Sequence, residues 1–267
     1  VPDGTLFAGG GGSAMLRQVE FEMTLPDGEK LNQSMGSLMQ GILMEKTDPA
    51  WAAEMHTQRV RPYSQYVTIK GGKPIWCIQT ITDQAFEHLI YPLMRLNRVH
   101  LKQREFDIGL SHFHVVKQEK FSDIETKYLL NHKKIHHINL SFVTSATCKT
   151  QGGYAVFPFP YLILKNLVNK WNAFSDSSII DSDHTADQLD KEMQIVDYHL
   201  HMHPFSLEGR RIRAFRGSVS YGLFQNDMAA RLTAILMDFA SYAGTGIKTA
   251  LGMGGTTAEI SFYREGK

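Results

Sequence analysis

The sequence predicts an α+β protein of two tandem ferredoxin-like (RRM-like) domains, each with the order strand, helix, strand, strand, helix, strand. Three observations lead to this fold class. A chain of 267 residues is long enough for two modest domains. In the first half, segments of alternating polarity and segments of helical periodicity follow one another in that order. After a polar interval the order begins again, so we expect domains at residues 15–128 and 129–267.

Residues 1–14 are expected to be an expression linker that precedes the protein itself. This segment has no initial methionine, and it contains four consecutive glycines followed by Ser13. It also lacks the basic end and apolar centre of a secretory signal. Met15 is therefore the expected natural start.

The first domain is predicted to begin with a strand at 18–24, where every second residue is apolar. A helix is expected at 35–46, because apolar residues recur on one face; its two glycines weaken the helix without excluding it. A second, shorter helix is expected after Pro49.

The middle of the first domain is predicted to be a β-hairpin. Residues 63–70 and 73–82 are rich in β-branched and aromatic residues, and the Gly71-Gly72 pair between them is typical of a two-residue hairpin turn. A helix at 83–95 and a strand at 106–116 complete the order.

The second domain is predicted to follow a polar interval at 117–134 that breaks the pattern. The expected elements are strands at 139–147, 195–205, 213–224 and 259–263, helices at 161–174 and 227–242, and a polar insertion with a short helix at 175–192. Asn226 is the expected N-cap of the last helix, because its side-chain oxygen can accept hydrogen bonds from the first-turn amides.

Composition excludes several classes of protein. No apolar stretch approaches the roughly 18 residues of a membrane-spanning helix. The two cysteines, Cys77 and Cys148, are far apart, which argues against a disulfide framework or a zinc ribbon and fits a reducing cytoplasm. The formal net charge of +1 argues against coating nucleic acid by bulk charge, but it leaves room for a local basic patch.

The segment Ala243–Gly255 contains five glycines and one lysine, Lys248, between a predicted helix and a predicted strand. Such a backbone can turn tightly and approach a phosphate closely. The segment lacks the spacing of a nucleotide-binding P-loop. From the residues alone, a structural turn and a binding loop are both open.

Three segments resemble a known family. Residues 244–255, preceded by the helix ending at 239–242 and by Phe215-Arg216-Gly217, resemble the C-terminal glycine-rich loop of the CRISPR-associated repeat-RNA processing endoribonucleases. These enzymes are the sixth Cas family, within the repeat-associated mysterious protein (RAMP) superfamily. Residues 147–158 resemble the lysine-containing loop and Phe-Pro helix start of that family's second domain. Residues 48–64 resemble the segment with its catalytic histidine. The resemblance covers the chain after the linker and is closest to members that accompany type III-A systems.

The resemblance implies an endoribonuclease that needs neither a metal nor another cofactor. A ribose 2′-hydroxyl at the 3′ side of the CRISPR repeat would attack the adjacent phosphate, leaving a 2′,3′-cyclic phosphate and a 5′-hydroxyl. His56 would be the catalytic histidine, and Arg59 and Arg61 would stabilise the phosphate. The chemistry is reasonable because histidine can give or take a proton near neutral pH and arginine offers planar donors to phosphate oxygens.

The same resemblance implies RNA contacts in the second domain. The residues expected to make them are Lys149, Arg210, Arg211, Arg213, Arg216, Gly244, Gly246, Lys248, Gly252, Gly254 and Gly255. The expected partner is CRISPR repeat RNA and the crRNA cut from it, in the cytoplasm and without a membrane. A transient association with a type III-A effector complex and a homodimer are left open.

Two alternatives compete with this interpretation. His199, His201 and His203 recur at every second position, so on a strand they would share one face and could ligate zinc. Alternatively, the chain could be a non-catalytic RNA-binding scaffold subunit, because related superfamily members keep the fold in that role.

Overall fold

The computed structural model describes residues 14–150, 152–176, 180, 182–223 and 226–263. The linker expected at 1–14 thus lies outside the described residues, apart from Ala14. None of the helices in this described part of the chain has both the length and the apolar character that crossing a membrane requires.

The first half forms a five-stranded antiparallel sheet with helices on one face. Its elements are β1 (Met15–Thr24), α1 (Met35–Lys46), α2 (Pro49–Thr57), β2 (Tyr63–Lys70), β3 (Lys73–Thr80), α3 (Asp83–Met94), β4 (Arg98–Leu101) and β5 (Phe106–Lys120). The strand order is β2-β3-β1-β5-β4, so the four predicted strands have the ferredoxin-like order. The short edge strand β4 was not predicted, because four residues are too few to establish a pattern.

The second half forms a four-stranded antiparallel sheet with the same order. Its elements are α4 (Phe121–Leu129), β6 (Ile135–Ala146), β7 (Cys148–Thr150), β8 (Gly153–Ala155), α5 (Pro160–Phe174), α6 (Ser182–Lys191), β9 (Met193–Met202), β10 (Phe205–Leu207), β11 (Arg210–Ile212), β12 (Phe215–Leu223), α7 (Asp227–Ala243), a 3-10 turn (Thr249–Leu251) and β13 (Thr256–Phe262). The order β13-β6-β12-β9 confirms the predicted duplication.

Local signals explain the elements that match their predicted positions. Gly71 and Gly72 have φ values of 55° and 80°, the left-handed conformation that a tight hairpin turn between β2 and β3 requires. Asn226 caps α7 as expected, since its side-chain oxygen accepts hydrogen bonds from Met228 N and Ala229 N.

The prediction of a patternless polar interval at 117–134 is wrong. Strand β5 continues to Lys120, and α4 follows at once. Phe121, Ile124 and Tyr128 are buried in the core of the second half. Their spacing of three and four residues is that of a helix face, which the many charged neighbours obscured.

Two small hairpins were also not predicted. Strands β7 and β8 pair directly after β6, and β10 and β11 pair between β9 and β12. The predicted hairpin of the second domain is therefore confirmed as the β9–β12 pair, but its connection is itself folded. Each small strand has three residues, too short for periodicity to be recognised.

Two hydrophobic cores lie beneath the two sheets. One contains Trp76 and the apolar faces of α1 and α3, and the other contains Trp171 and the apolar face of α7. The two halves are joined at α7, where the buried Asp238 accepts a hydrogen bond from Lys117 on β5. Asp238 also accepts hydrogen bonds from Lys127 and the Tyr128 hydroxyl on α4, within the second half.

Candidate active site and RNA interface

His56 lies exposed in the last turn of α2. The helix begins at Pro49, and its N-cap Asp48 accepts hydrogen bonds from Ala50 N and Trp51 N, both at 3.0 Å. Trp51 and Met55 are buried on the opposite face, so packing fixes the rotation of the helix. The same packing directs His56 towards solvent.

Two arginines follow His56 in the turn that leads to β2. Arg59 is exposed and Arg61 is half-buried. Nε of Arg61 donates a hydrogen bond to the carbonyl of Met55, at 3.0 Å, which folds the turn back onto the end of α2. His56 at the end of α2 and the two arginines of the following turn thus lie within six residues of one another, and Arg61 is held against the helix end.

The strand after this loop is also the strand on which the glycine-rich segment Ala243–Gly255 docks. The hydroxyl of Ser64 donates to Tyr242 O at 2.8 Å. The side-chain amide of the fully buried Gln65 donates to Gly36 O and Ala250 O, at 2.7 and 2.8 Å. Strand β2 therefore connects the His56 loop to the glycine-rich segment.

Close packing explains why the segment is rich in glycine. A Cβ on Gly252, at φ 100°, would lie 2.9 Å from the Cα of Gly36 on α1. A Cβ on Gly246, at φ 83°, would lie 2.2 Å from the carbonyl oxygen of Thr147, and one on Gly255 would meet the Tyr66 ring. A side chain at Gly252 or Gly255 would force the two halves apart, and one at Gly246 would displace the backbone at Thr147.

The amides of four of these glycines already have partners within the protein. Gly244 N donates to Ala240 O, Gly246 N to Asn166 Oδ1, Gly254 N to Ser145 O and Gly255 N to Thr144 Oγ1. The geometry thus gives these glycines a packing role, and direct RNA contact by Gly244, Gly246, Gly252, Gly254 and Gly255 stays a prediction. Of residues 243–255, all described, Lys248 alone is exposed.

The predicted basic residues lie on elements that pack near this segment. Lys149 is exposed on β7; Arg210, Arg211 and Arg213 are exposed on or just after β11; Arg216 is half-buried on β12. The small β10–β11 hairpin is anchored because Phe205 and Ile212 pack with Met253 of the glycine-rich segment. Its arginines therefore project from a hairpin seated on that segment.

Lys170 and Asn166 on α5 contact the glycine-rich segment. Neither was predicted as a site residue. Lys170 is 8% exposed, and its Nζ donates to Ala243 O and Gly244 O, both at 2.9 Å. Burial lowers the pKa of Lys170 to about 7, against a smaller opposing effect of Cys148. Asn166, one helical turn earlier, accepts from Gly246 N at 3.0 Å. The sequence signal that could have identified Lys170 is its position on the apolar side of an amphipathic helix.

The three alternating histidines, all of them described, are not arranged together as a metal site. His199 and His201 are exposed on β9, whereas Nδ1 of His203 lies 2.8 Å from the hydroxyl of Ser145. Within residues 14–263, as far as the structure describes them, no group of three or more His, Cys, Asp or Glu side chains is arranged to hold a metal ion.

Comparison with known proteins identifies the family. Residues 140–256, from β6 to the end of the glycine-rich segment, match the family CRISPR-associated endoribonuclease Cas6. The Cas6 of Streptococcus thermophilus is 27% identical over 227 residues, covering 85% of this chain and 92% of that protein.

Solved structures share the fold. The structure of Thermus thermophilus Cas6 has a TM-score of 0.72 at 17% identity, covering 93% of this chain and 100% of that one. A Cas6 solved as a product complex has a TM-score of 0.76 at 19% identity, covering 92% and 99%. The region from β6 to the glycine-rich segment thus matches the Cas6 family of CRISPR-associated endoribonucleases, and the chain as a whole is similar in sequence and in its duplicated ferredoxin-like fold to Cas6 proteins.

Proposed function

We propose that this chain processes CRISPR repeat RNA by metal-independent cleavage, with His56 as its catalytic histidine. The observation that carries the proposal is the loop between α2 and β2. His56 is exposed on the last turn of α2, Arg59 and Arg61 follow in this loop, and the loop leads into the strand that docks the glycine-rich segment.

The proposed reaction is attack of a ribose 2′-hydroxyl on the adjacent phosphate. The 2′-oxygen forms a new P–O bond as the bond to the 5′-oxygen of the next nucleotide breaks. The attacking hydroxyl loses its proton, and the leaving oxygen gains one. His56 performs one of these transfers, and Arg59 and Arg61 stabilise the negative charge on the phosphate oxygens. The products are a 2′,3′-cyclic phosphate and a 5′-hydroxyl.

The proposal assigns RNA binding to the second half, which begins with α4, and chemistry to the first half. Lys149, Lys248 and the four arginines Arg210, Arg211, Arg213 and Arg216 contact RNA phosphates. The five glycines shape the segment on which Lys248 stands. Support comes from the exposure of all these cations except the half-buried Arg216 around a packed scaffold, since phosphate contacts position RNA without reading its sequence.

The proposal extends to location and protein partners. CRISPR transcripts are made in the cytoplasm, so the protein acts there. A homodimer and a transient association with a type III-A effector complex are proposed on the edge strand β9, where Tyr198 and Met202 are 60% and 54% exposed. Light scattering of the purified protein and co-purification with the effector complex test these partners.

The deciding experiment is incubation of the protein with the repeat RNA of its own CRISPR locus in EDTA, followed by mapping of the product ends. We expect cleavage that survives EDTA and leaves a cyclic phosphate and a 5′-hydroxyl. His56→Ala should slow cleavage about 10²–10⁴-fold with RNA affinity nearly unchanged, because proton transfer acts in the transition state.

His201→Ala is the matched control, since it removes another exposed histidine and one member of the alternative zinc set. Near-normal cleavage by His56→Ala, or loss of wild-type cleavage in EDTA, would contradict the proposal. Binding without any cleavage would favour the scaffold alternative, and stoichiometric zinc lost in His201→Ala would favour the zinc enzyme.

A further inference from the structure

The glycine-rich segment is held on both sides of its exposed lysine. Before Lys248, Ile247 N donates to Thr147 O at 3.0 Å. After it, Thr249 is 9% exposed, and its hydroxyl lies 3.5 Å from Nζ of Lys170. Lys248 itself has φ 56°, a left-handed conformation that few lysines adopt without surrounding constraint.

The start of the segment is fixed by α5. Asn166 and Lys170 are one helical turn apart, so both side chains reach the same side of the helix. Asn166 accepts from Gly246 N, and Lys170 donates to the carbonyls of Ala243 and Gly244 at the end of α7. These carbonyls end a 17-residue helix, and the last carbonyls of a helix need donors from outside it.

We propose that Asn166 and Lys170 are positioning residues of the RNA site, which lock the glycine-rich segment so that Lys248 is presented to RNA in one orientation. This inference rests on the proposed function, because it assumes that Lys248 contacts phosphate. A lysine on a mobile loop would lose conformational entropy on binding RNA, whereas a pre-oriented lysine avoids that loss. Asn166 and Lys170 therefore increase the affinity for RNA without contacting it.

Asn166 offers the cleaner test, since it is half-buried and its change leaves the core intact. Asn166→Ala removes the acceptor for Gly246 N, and Asn166→Asp keeps an oxygen in its place. Asn169→Ala is the matched control, because Asn169 is exposed on the same helix. Affinity for repeat RNA with a 2′-deoxy residue at the cleavage site separates binding from cleavage, and thermal unfolding reports the fold.

We expect Asn166→Ala to weaken RNA binding about tenfold, because a Lys248 that is no longer held in one orientation loses its charged contact with phosphate. Asn166→Asp and Asn169→Ala should bind like the wild type. Hydrogen exchange at the amides of 246–249 should accelerate in Asn166→Ala alone. Lys170→Met should show the same binding defect in its folded fraction.

The double variant with Lys248→Ala decides whether Asn166 acts through Lys248. If it does, Asn166→Ala causes no further loss once Lys248 is gone. Additive losses, or wild-type affinity of Asn166→Ala, would overturn the inference. Wild-type affinity of Lys248→Ala would also overturn it, while loss of cleavage in His56→Ala would show that the proposed function still stands.

Discussion

At the scale of single residues, the glycines of Ala243–Gly255 are explained by the atoms around them. Gly252 lies against Gly36, and backbone meets backbone where the two halves of the chain touch. A residue with a side chain cannot occupy this position without displacing α1. The family resemblance implies that these glycines approach RNA, which stays a prediction, and the contacts of Gly246, Gly252 and Gly255 are with the protein itself.

We therefore expect Gly252→Ala to destabilise the fold by roughly 3 kcal/mol, from the strain of a positive φ and the clash with Gly36. Gly209→Ala is the control, because Gly209 has φ 75° but no atom within 4 Å of the added Cβ. It should cost only about 1–2 kcal/mol. Urea unfolding measures both variants, and equal losses would show that the contact with Gly36 adds nothing.

At the scale of elements, the β10–β11 hairpin gives the connection between β9 and β12 a regular structure and holds exposed arginines on it. Ile212 faces inward onto Met253, and Arg211 and Arg213 on either side of it are exposed. The predicted alternation of these two arginines on one face is thus explained by a single buried anchor.

We expect the double variant Arg211→Ala and Arg213→Ala to weaken repeat-RNA binding. The slope of log Kd against log salt concentration should fall by about 1 for each arginine, because each phosphate contact releases a counterion. Cleavage position should not change. The charge-matched control is Arg98→Ala with Arg104→Ala, two exposed arginines at the far edge of the first sheet. An unchanged slope of log Kd against log salt in the first variant would show that the hairpin does not face RNA.

At the scale of the whole molecule, Asp238 on α7 joins the second half to the first through Lys117 on β5. It is 4% exposed, and its three partners come from β5 and α4. Burial raises the pKa of this carboxyl, but the stronger combined effect of Lys117 and Lys127 leaves it below the usual 3.8. The ionised form is therefore the one that the fold stabilises.

We expect Asp238→Asn to lower the free energy of unfolding by about 2–3 kcal/mol at pH 7. Because the folded pKa lies below the unfolded one, this contribution is present above about pH 4 and is lost as the pH falls through the folded value. The wild type should thus approach the variant in stability at low pH. Asp187→Ala, which removes an exposed ion pair with Lys191, should cost less than about 0.5 kcal/mol. A constant difference between wild type and Asp238→Asn from pH 7 to pH 2 would contradict this account.

The sequence by itself determined the fold class, the order of both sheets and most helix and strand positions, and it carried the resemblance to one family. Periodicity and capping depend on neighbours a few residues apart, and for that reason Gly71-Gly72, Asn226 and the strand alternation could be interpreted locally. The sequence also pointed to the His56 loop, although the catalytic roles of its residues stay predictions.

Only the tertiary structure decided what the glycine-rich segment does within the protein. Its contacts join residues more than 100 positions apart, such as Gly36 with Gly252 and Ser145 with Gly254. Lys170 was missed for the same reason, since a buried lysine is intelligible only once the carbonyls of Ala243 and Gly244 are seen beside it. Local patterns encode elements, whereas the partners of a buried polar group depend on how distant elements meet.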